Sequence, residues 1–455
     1  MSIPSVNPST GAVIKSFPEH SEAVVNEILR QAEQSFVEWR RTGFHERAAR
    51  MKAAAGLLRT NQDAYARLMA QEMGKPLAQG RSEVEKCAVA CDYYAAQAGR
   101  FLSPEVIETE ATKSYVTFQP LGVVLAIMPW NFPFWQVLRF AAPALMAGNA
   151  GVLKHAASVP GCAIAIEELF HQAGFPSGLF RSLLIGSDRV AALIDHPAVK
   201  AVTLTGSSAA GRAVAAKAGA ALKKTVLELG GSDPYVILED ADLERAAQMC
   251  VAARLINSGQ SCIAAKRFIV VESVRQRFEE LFVQHMQAQR MGDPFEEGVT
   301  VGPLARLDLR DELHRQVARS LAQGATLLLG GKIPSHKGAY YPPTVLTNVT
   351  KGMSVYEDET FGPVAAIIPV KDEVEAIRVA NDTSFGLGAA VFTSDQARGE
   401  RIAAEQLEAG LCFVNASVRS DPRLPFGGIK ESGYGRELSG FGIQEFVNVK
   451  TVYVA

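Results

Sequence analysis

The sequence predicts an α/β fold in which two large domains are each built on a mostly parallel sheet. The chain has 455 residues, more than one hydrophobic core can organise. From Tyr115 onward, short β-branched runs alternate with segments of helical length, which is typical of a parallel sheet covered on both faces. After Gly231 the alternation starts again. This restart predicts a domain boundary close to Gly230 and Gly231.

The individual elements follow from local patterns. Residues 21–99 are rich in good helix formers, and their apolar residues recur three and four positions apart, so we expect two long helices there. The predicted strands are 123–127, 200–204, 225–227, 235–238, 267–271, 325–329, 364–368 and 411–414. The predicted later helices are 160–173, 209–222, 243–256, 274–288 and 309–323.

Composition excludes several classes of function. The formal net charge is −2 and no basic run is present, so we expect no nucleic-acid partner. The uncharged residues 114–138 contain three prolines, which would break a membrane-spanning helix, and we expect strands followed by a turn. The N-terminus has no pattern of a secretory signal, and the six cysteines are scattered, which favours a cytoplasmic protein. We expect Cys87 and Cys91 to face a core and predict no metal site.

Cys262 is the most informative residue for chemistry. It lies in the run Asn257-Ser-Gly-Gln-Ser-Cys262, 34 positions after Glu228 in the run Glu228-Leu-Gly-Gly231. A thiol in a glycine-containing loop, together with an isolated carboxylate, provides a nucleophile and a base for covalent catalysis. The pair is compatible with several substrates.

Three further motifs are each open to two interpretations. Thr205-Gly-Ser-Ser-Ala-Ala-Gly211 follows a predicted strand and begins a helix, so it is either a pyrophosphate site or a helix cap with packing glycines. Asn131, between Pro129 and Pro133, is either a fixed donor to an oxyanion or part of a loop at a domain edge. Glu359 and Phe361 suit a ribose and a flat ring, or form an exposed acidic turn.

Taken together, these motifs resemble the aldehyde dehydrogenase superfamily over essentially the whole chain. The motifs that carry the resemblance, in order, are Pro129-Trp-Asn131, Lys154, Thr205-Gly-Ser207, Glu228-Leu-Gly-Gly231, Gly259-Gln-Ser-Cys262, Glu359-Thr-Phe-Gly-Pro363 and Pro425-Phe-Gly-Gly428. The tail from Ser420 to Arg436 is similar to the bacterial succinate-semialdehyde dehydrogenase branch. The resemblance implies oxidation of an aldehyde to a carboxylic acid with NADP or NAD.

The resemblance also implies roles for the catalytic residues. Cys262 would add to the aldehyde to give a thiohemiacetal, whose oxyanion would accept hydrogen bonds from the Asn131 amide and the Cys262 N–H. Glu228 would activate the water that hydrolyses the later thioester. Glu437 would either relay that proton or pair with a neighbouring arginine.

For the cofactor, the resemblance implies that Lys154 and Glu359 bind the two riboses and that Phe361 binds the nicotinamide ring. The full implied set is Trp130, Lys154, Ala157, Gly206, Ser207, Gly211, Leu229, Glu359 and Phe361. Members of the family that prefer NAD commonly have an acidic residue at position 157, where this chain has Ala157. Because nothing there repels a 2′-phosphate, we expect NADP to be accepted as well as NAD or better.

The substrate expectation depends on Arg139, eight residues after Asn131. In the succinate-semialdehyde branch the matching arginine binds the substrate carboxylate, and the alternative is a structural ion pair. The candidate helpers are Trp135, Ser261, Arg419 and Ser420. Two departures are Ile256 and Ala264, where some members of the branch have a second arginine and a redox-switch cysteine. Another short aldehyde, a coenzyme-A-acylating enzyme and a cysteine hydrolase are the alternatives.

The resemblance implies a Rossmann-type cofactor domain (residues 1–101 and 121–230), an α/β catalytic domain (231–430) and a small β oligomerisation element (102–120 and 431–455). A hairpin within 102–120 would pair with a terminal strand at 447–454. A homodimer or homotetramer is expected, with a small-molecule aldehyde as substrate and neither nucleic acid nor membrane as partner.

Overall fold

The computed structural model describes residues 2–455, in which strands and helices alternate as predicted. The strands are β1 Ser2–Val6, β2 Val13–Pro18, β3 Glu105–Val106, β4 Lys113–Pro120, β5 Val123–Met128, β6 Ala150–His155, β7 Phe180–Ser182, β8 Val199–Thr205, β9 Lys224–Glu228, β10 Pro234–Ile237, β11 Arg267–Val271, β12 Thr326–Leu329, β13 Thr344–Thr347, β14 Val364–Val370, β15 Gly388–Phe392, β16 Leu411–Val414, β17 Gly433–Tyr434 and β18 Val447–Val454. The α-helices are α1 Glu22–Trp39, α2 Phe44–Thr60, α3 Gln62–Met73, α4 Leu77–Phe101, α5 Trp135–Ala147, α6 Pro160–Gln172, α7 Val190–Asp195, α8 Ser208–Ala220, α9 Leu243–Leu255, α10 Glu272–Gln287, α11 Leu307–Ala322, α12 Ser354–Glu357, α13 Glu373–Asn381, α14 Gln396–Arg401 and α15 Ser439–Gln444.

The first large sheet has six strands in the order β17-β9-β8-β5-β6-β7. All neighbours are parallel except β17, which runs antiparallel to β9. From β5 the chain continues to β6 and β7 on one side of the sheet and then to β8 and β9 on the other side. Such a switch point leaves a crevice at the carboxyl ends of the strands. The segments that follow β5, β8 and β9 carry Asn131, Gly206 and Leu229. This topology therefore brings three of the predicted motifs to one edge of the sheet.

The second large sheet has seven strands in the order β12-β13-β14-β11-β10-β15-β16. Only the edge pair β12–β13 is antiparallel. The central strands are almost completely buried, as expected for a parallel sheet with both faces covered. The α/β class with two separate, mostly parallel sheets is confirmed.

Two smaller sheets complete the fold. β1 and β2 form an antiparallel pair, and β18 pairs with β4 along its whole length, from Val447 opposite Pro120 to Val454 opposite Lys113. The expected hairpin is formed by β3 and β4. The domain boundaries stay a prediction, with one difference in the third element: Gly433 and Tyr434 pair with Glu228 and Leu227 in the six-stranded sheet rather than with β4.

The N-terminal helical region differs from the expectation of two long helices. It contains four, α1 to α4. Gly74 ends α3 with a left-handed backbone (φ 77°), and Pro76 immediately precedes α4. A left-handed glycine followed by a proline cannot continue a helix, although the apolar spacing persists through the break.

The uncharged segment 114–138 forms most of β4, then β5, a turn and the start of α5, which confirms strands followed by a turn. Within residues 2–455, no helix combines the length and apolarity needed to cross a membrane. The same residues contain no cluster of three or more His, Cys, Asp or Glu side chains arranged for a metal. Cys87 and Cys91 are fully buried on α4, as predicted.

A buried ion pair joins α4 to the segment that begins α5. Lys75 and Glu83 pair with each other, with side chains 0% and 1% exposed, and Lys75 lies over the ring of Phe132, 3.9 Å from its centroid. The second Glu83 oxygen accepts from the backbone N–H groups of Phe134 (2.9 Å) and Trp135 (3.0 Å). This pair therefore holds the turn that carries Asn131.

Replacing Glu83 by alanine should lower the free energy of unfolding by about 3 kcal/mol, because it leaves a buried ammonium without its counter-charge. The measurement is the midpoint of urea unfolding. Glu85→Ala is the matched control two residues along α4, since Glu85 pairs with Arg59 at the surface and should contribute less than about 1 kcal/mol. Equal effects of the two changes would contradict this assignment.

Candidate active site

A cavity of about 210 Å³ lies at the carboxyl edge of the six-stranded sheet. It is lined from both sides, by residues that follow the strands of that sheet and by residues of the second large sheet's loops. The lining residues are Pro129, Trp130, Asn131, Gln136, Thr205, Gly206, Ser207, Leu229, Gly230, Cys262, Leu309, Glu359 and Phe361. Eight of the predicted site residues therefore line one cavity.

The nucleophile loop, residues 256–262, connects α9 to the segment before β11. Asn257, Ser258 and Gly259 have successive left-handed conformations, with φ of 53°, 56° and 78°. A Cβ atom at Gly259 would lie 2.3 Å from the carbonyl of Gly362, so only glycine fits where this loop meets the loop after Phe361. The left-handed turn brings the loop back toward the cavity and presents Cys262 to it.

Lys266 stabilises the nucleophile loop through hydrogen bonds. Its side chain is completely buried, and its ammonium donates to the carbonyls of Ser261 (3.1 Å), Cys262 (2.8 Å) and Ala264 (3.1 Å). It also lies 3.8 Å from Oε1 of Glu359. One buried cation thus links the nucleophile loop to the carboxylate predicted to bind a ribose.

Cys262 is partly exposed and lines the cavity. Burial raises the pKa of Cys262 to about 12, while the positive charges of Arg139 and Lys266 act in the opposite direction. The thiol is therefore protonated near neutral pH in the free protein, so its proton has to be removed before it can act as a nucleophile.

Asn131 is fixed beside this loop by two hydrogen bonds. Its Nδ2 donates to the carbonyl of Gln260 (3.1 Å), and its own carbonyl accepts from Nδ2 of Asn257 (2.6 Å). Its side-chain oxygen is buried without a hydrogen-bond partner. The amide therefore lines the same cavity as Cys262 on a rigid support, as an oxyanion donor requires.

Glu228 ends strand β9 and is 2% exposed. Neither carboxyl oxygen has a hydrogen-bond partner within the described chain. Burial raises the pKa of Glu228 well above its usual value, and the negative charge of Glu437 raises it further, against the positive charges of Arg139 and Arg436. A buried carboxyl with a raised pKa suits proton transfer near neutral pH.

Arg139 and Glu437 form an ion pair, with side chains 1% and 5% exposed. Arg139 also donates to Oγ1 of Thr205 (3.3 Å), and its guanidinium lies 4.5 Å from the centroid of the Phe426 ring. The structural ion pair was the alternative left open for each residue. Arg139 does not line the cavity around Cys262. Contact between Arg139 and a substrate stays a prediction, and so does a proton relay through Glu437.

The glycine-rich turn after β8 has the features of both a helix cap with a packing glycine and a pyrophosphate site. Ser207 caps α8, since its Oγ accepts from the N–H of Ala210 (3.3 Å), and the helix N-terminus faces the cavity. A Cβ at Gly211 would lie 2.5 Å from Cδ1 of Leu229, so Gly211 is a packing glycine beneath a cavity-lining residue. Free N–H groups at a helix N-terminus are suitable donors for a pyrophosphate.

Glu359, Phe361 and Trp130 also line the cavity. Oε1 of Glu359 accepts from the N–H of Gly231 (3.0 Å), and the two rings are perpendicular with centroids 5.7 Å apart. A helix N-terminus for phosphates, a carboxylate for a ribose and aromatic walls for a flat ring together fit a nicotinamide dinucleotide.

Two predicted cofactor residues besides Gly211 lie outside this cavity. Lys154 is buried in β6, and burial lowers its pKa, while the negative charge of Asp188 acts in the opposite direction. Ala157 is exposed and lines a separate cavity of about 700 Å³ together with Arg306, Arg310 and Lys337. Their contacts with a cofactor stay predictions.

The remaining predicted substrate residues are distributed differently. Trp135 lines a second cavity of about 400 Å³ together with Phe132 and Ile256. Ser420 is buried next to this second cavity, and Ser261 is also buried, with 1% exposure. Arg419 is exposed at the surface and lines neither cavity. No motif marks Lys86 or Lys266, and the only sequence signal for Lys266 is its position four residues after the nucleophile.

Known proteins match this chain over its full length. Residues 1–452 match the aldehyde dehydrogenase family. A probable succinate-semialdehyde dehydrogenase [NADP(+)] of Synechocystis sp. is 49% identical over 100% of both chains, and the succinate semialdehyde dehydrogenase [NAD(P)+] Sad of Escherichia coli is 48% identical over 99% of this chain and 97% of its own. The crystal structure of succinic semialdehyde dehydrogenase from Streptococcus pyogenes in complex with NADP+ superposes with a TM-score of 0.97 at 39% identity, covering 99% of both chains. With this match added to the geometry around Cys262, the chain belongs to the aldehyde dehydrogenase family.

Proposed function

We propose that this protein oxidises succinate semialdehyde to succinate with NADP, and with NAD less well or equally well. The observation that carries the proposal is the convergence of Cys262, Asn131 and the α8 N-terminus on one cavity, with the buried Glu228 beside it at the end of β9. Relatives of 48–49% identity that cover the whole chain and are named for this reaction support the choice of substrate.

In the proposed reaction, the Cys262 thiol gives its proton to solvent water and its sulfur forms a bond to the aldehyde carbon, while the carbonyl π electrons move to the oxygen, which gives a thiohemiacetal. The negative charge on the former carbonyl oxygen is stabilised by Nδ2 of Asn131 and the backbone N–H of Cys262, and losing one such donor would cost about 3 kcal/mol. Asn131 Nδ2 donates one N–H to the carbonyl of Gln260, and its second N–H would donate to the oxyanion.

NADP, when bound, supplies the hydride acceptor that converts the thiohemiacetal into a thioester. The helix N-terminus at Gly206 and Ser207 would hold its pyrophosphate, and Glu359, Phe361 and Trp130 would hold its nicotinamide half. Glu228 then removes a proton from a water molecule, and the oxygen of that water forms a bond to the thioester carbon while the bond to Cys262 breaks. Arg139 and Glu437 set the charge around Glu228.

A panel of aldehydes with both cofactors tests the function. We expect kcat/KM for succinate semialdehyde to exceed that for butanal at least tenfold, with reduced cofactor formed in the absence of coenzyme A. A preference for butanal would contradict the proposed substrate. A requirement for coenzyme A would contradict hydrolysis by Glu228 and favour the acylating alternative.

The choice of cofactor has its own test at Ala157. We expect Ala157→Glu to lower kcat/KM for NADP at least tenfold relative to NAD, because a carboxylate would repel the 2′-phosphate. Ala157→Gln, of the same size but uncharged, is the control and should change the ratio less. Wild-type enzyme that uses NADP a hundredfold less efficiently than NAD would overturn the NADP assignment.

We also infer a homodimer or homotetramer in the cytoplasm. β18 pairs only with β4, so its second edge is open, and Val449, Tyr453 and Val454 on this strand are exposed. An open edge with apolar side chains favours pairing with another chain. Sedimentation of the wild type at micromolar concentration is the test, and a monomer would contradict it.

A further inference from the structure

The peptide units on both sides of Cys262 are held by one side chain. The ammonium of Lys266 donates to the carbonyl of Ser261 (3.1 Å), in the peptide before Cys262, and to the carbonyl of Cys262 itself (2.8 Å), in the peptide after it. Among residues 2–455, no other donor reaches the Cys262 carbonyl, and the Ser261 carbonyl has one further donor, the N–H of Ala264 (3.2 Å). The orientation of the backbone around the nucleophile therefore depends on Lys266.

This arrangement leaves the backbone N–H of Cys262 free. A trans peptide is planar, so the C=O of Ser261 and the N–H of Cys262 point in opposite directions. Because the Ser261 carbonyl points at the buried ammonium, the Cys262 N–H points away from it, and it donates to no acceptor within residues 2–455. A carbonyl that binds a cation also polarises its peptide, which makes the N–H of that peptide a stronger donor. Lys266 therefore both orients and strengthens the free N–H.

The contacts of Lys266 require its protonated form. An ammonium has three N–H donors, and the three carbonyls of the nucleophile loop around it are all acceptors. A neutral amine would instead turn a lone pair toward one of these oxygens. Burial lowers the pKa of Lys266, and the positive charge of Arg254 contributes in the same direction. The negative charges of Glu359, Asp233 and an ionised Cys262 raise that pKa.

Lys266 does not touch the space in which a substrate would lie. Its side chain is 0% exposed, and it does not line the cavity around Cys262. The only carboxylate within 4 Å of the ammonium, among residues 2–455, is Glu359 at 3.8 Å, which is too far for a hydrogen bond. The charge of Lys266 therefore acts mainly on the peptide groups of the nucleophile loop.

We propose that Lys266 is a positioning residue for the oxyanion: by holding the carbonyls on either side of Cys262, it orients the Cys262 N–H toward the aldehyde oxygen that becomes negative. This inference deepens the proposed function and rests on it. Asn131 supplies the side-chain donor to the oxyanion, and only the backbone donor depends on Lys266. The charge of Lys266 has a second effect, because it lowers the pKa of the Cys262 thiol against the effect of burial.

The test compares two rates in Lys266→Met, which keeps the length of the side chain but has neither the charge nor the donors. The first-turnover rate of reduced-cofactor formation at saturating succinate semialdehyde should fall about 30-fold, with the half-saturating concentration changed less than about threefold, because the oxyanion forms only as the reaction proceeds. Alkylation of Cys262 by iodoacetamide at pH 8 in cofactor-free enzyme, followed by mass spectrometry of the Cys262 peptide, should slow about tenfold because less thiolate is present. The turnover rate should fall further than the alkylation rate, since alkylation forms no oxyanion.

Arg267→Met is the matched control. Arg267 follows Lys266 in the chain, is also 0% exposed, and donates to three carbonyls, those of Ser232 (3.0 Å), Val379 (2.9 Å) and Ala380 (2.9 Å). None of these carbonyls belongs to the nucleophile loop. Both variants should therefore lower the midpoint of urea unfolding, whereas Arg267→Met should leave the turnover and alkylation rates within about twofold of the wild type.

Lys266→Arg keeps a cation with several donors and should recover part of both rates. Rates in Lys266→Met that match the wild type would overturn the inference, and so would equal falls in Lys266→Met and Arg267→Met, which would leave Lys266 a purely structural role. If Lys266→Met does not fold, the shorter and uncharged Lys266→Gln replaces it with the same limits. Alkylation needs neither aldehyde nor cofactor. A wild type that oxidises no succinate semialdehyde would therefore reject the proposed function, whereas an unchanged alkylation rate in the variant would reject the role of Lys266.

Discussion

Replacement of Cys262 by serine should lower the rate of aldehyde oxidation by a factor of about 10⁴ or more. A serine hydroxyl is a much weaker acid than a cysteine thiol, and the site has no base strong enough to deprotonate it. The cavity should be preserved, since the side chains differ by one atom. The measurement is kcat for succinate semialdehyde with NADP, together with the dissociation constant of NADP, which should change less than threefold.

Cys412→Ser is the matched control. Cys412 is partly buried on β16, where its thiol contacts the carbonyls of Leu407 and Ala409, and it lines neither cavity. Its replacement should leave kcat within twofold of the wild type. A Cys262→Ser enzyme that retains more than a hundredth of the wild-type rate would remove Cys262 from the proposed mechanism.

Replacement of Glu228 by glutamine should separate the two halves of the reaction. The first half forms the thioester on Cys262 and needs no activated water, so one equivalent of reduced cofactor per active chain should appear in a rapid burst. The following steady-state rate should fall by about 10²–10⁴, the usual contribution of a general base. Rapid-mixing measurement of reduced cofactor gives both quantities.

The pH dependence of the same step follows from burial. Because the pKa of Glu228 is raised, the carboxyl is protonated at low pH and cannot accept the proton of water. The wild-type steady-state rate should therefore increase with pH up to the raised pKa and level off above it, whereas the glutamine variant should lack this increase. Glu312→Gln, at a surface ion pair with Arg315, is the control. A glutamine variant without a burst would contradict the assignment of Glu228 to hydrolysis.

The elements that the sequence predicted are those with a distinctive local pattern. β11 and β16 begin and end where the β-branched runs do, and α6, α9 and α11 agree within two residues. Two of the missed strands have weaker patterns. β15 reads Gly-Ala-Ala-Val-Phe and β6 begins with Ala and Gly; small residues have low strand propensity, and these strands form because both faces of the sheet are buried.

The residues of the candidate site also fall into those that the sequence predicted and those that it did not. Residues that follow strands of one parallel sheet converge because of the topology, so the motifs at Asn131, Gly206 and Glu228 predicted a shared location. Side-chain pairing depends on packing between distant segments, as in Arg139 with Glu437 and Lys86 with Ser420. No local pattern marks these contacts, so the sequence left an ion pair open as an alternative for Arg139 and for Glu437 without identifying the two as partners.

The left-handed backbone at Asn257 and Ser258 has a consequence for the stability of this protein. An L-residue in this conformation costs about 1–2 kcal/mol relative to glycine. Glycine at either position would remove that cost, but it would also remove the Asn257 amide that donates to Asn131 or the Ser258 hydroxyl that accepts from Gly302. The nucleophile loop thus concentrates a trade-off between stability and activity in two adjacent residues, and thermostabilised variants of this chain should be sought elsewhere.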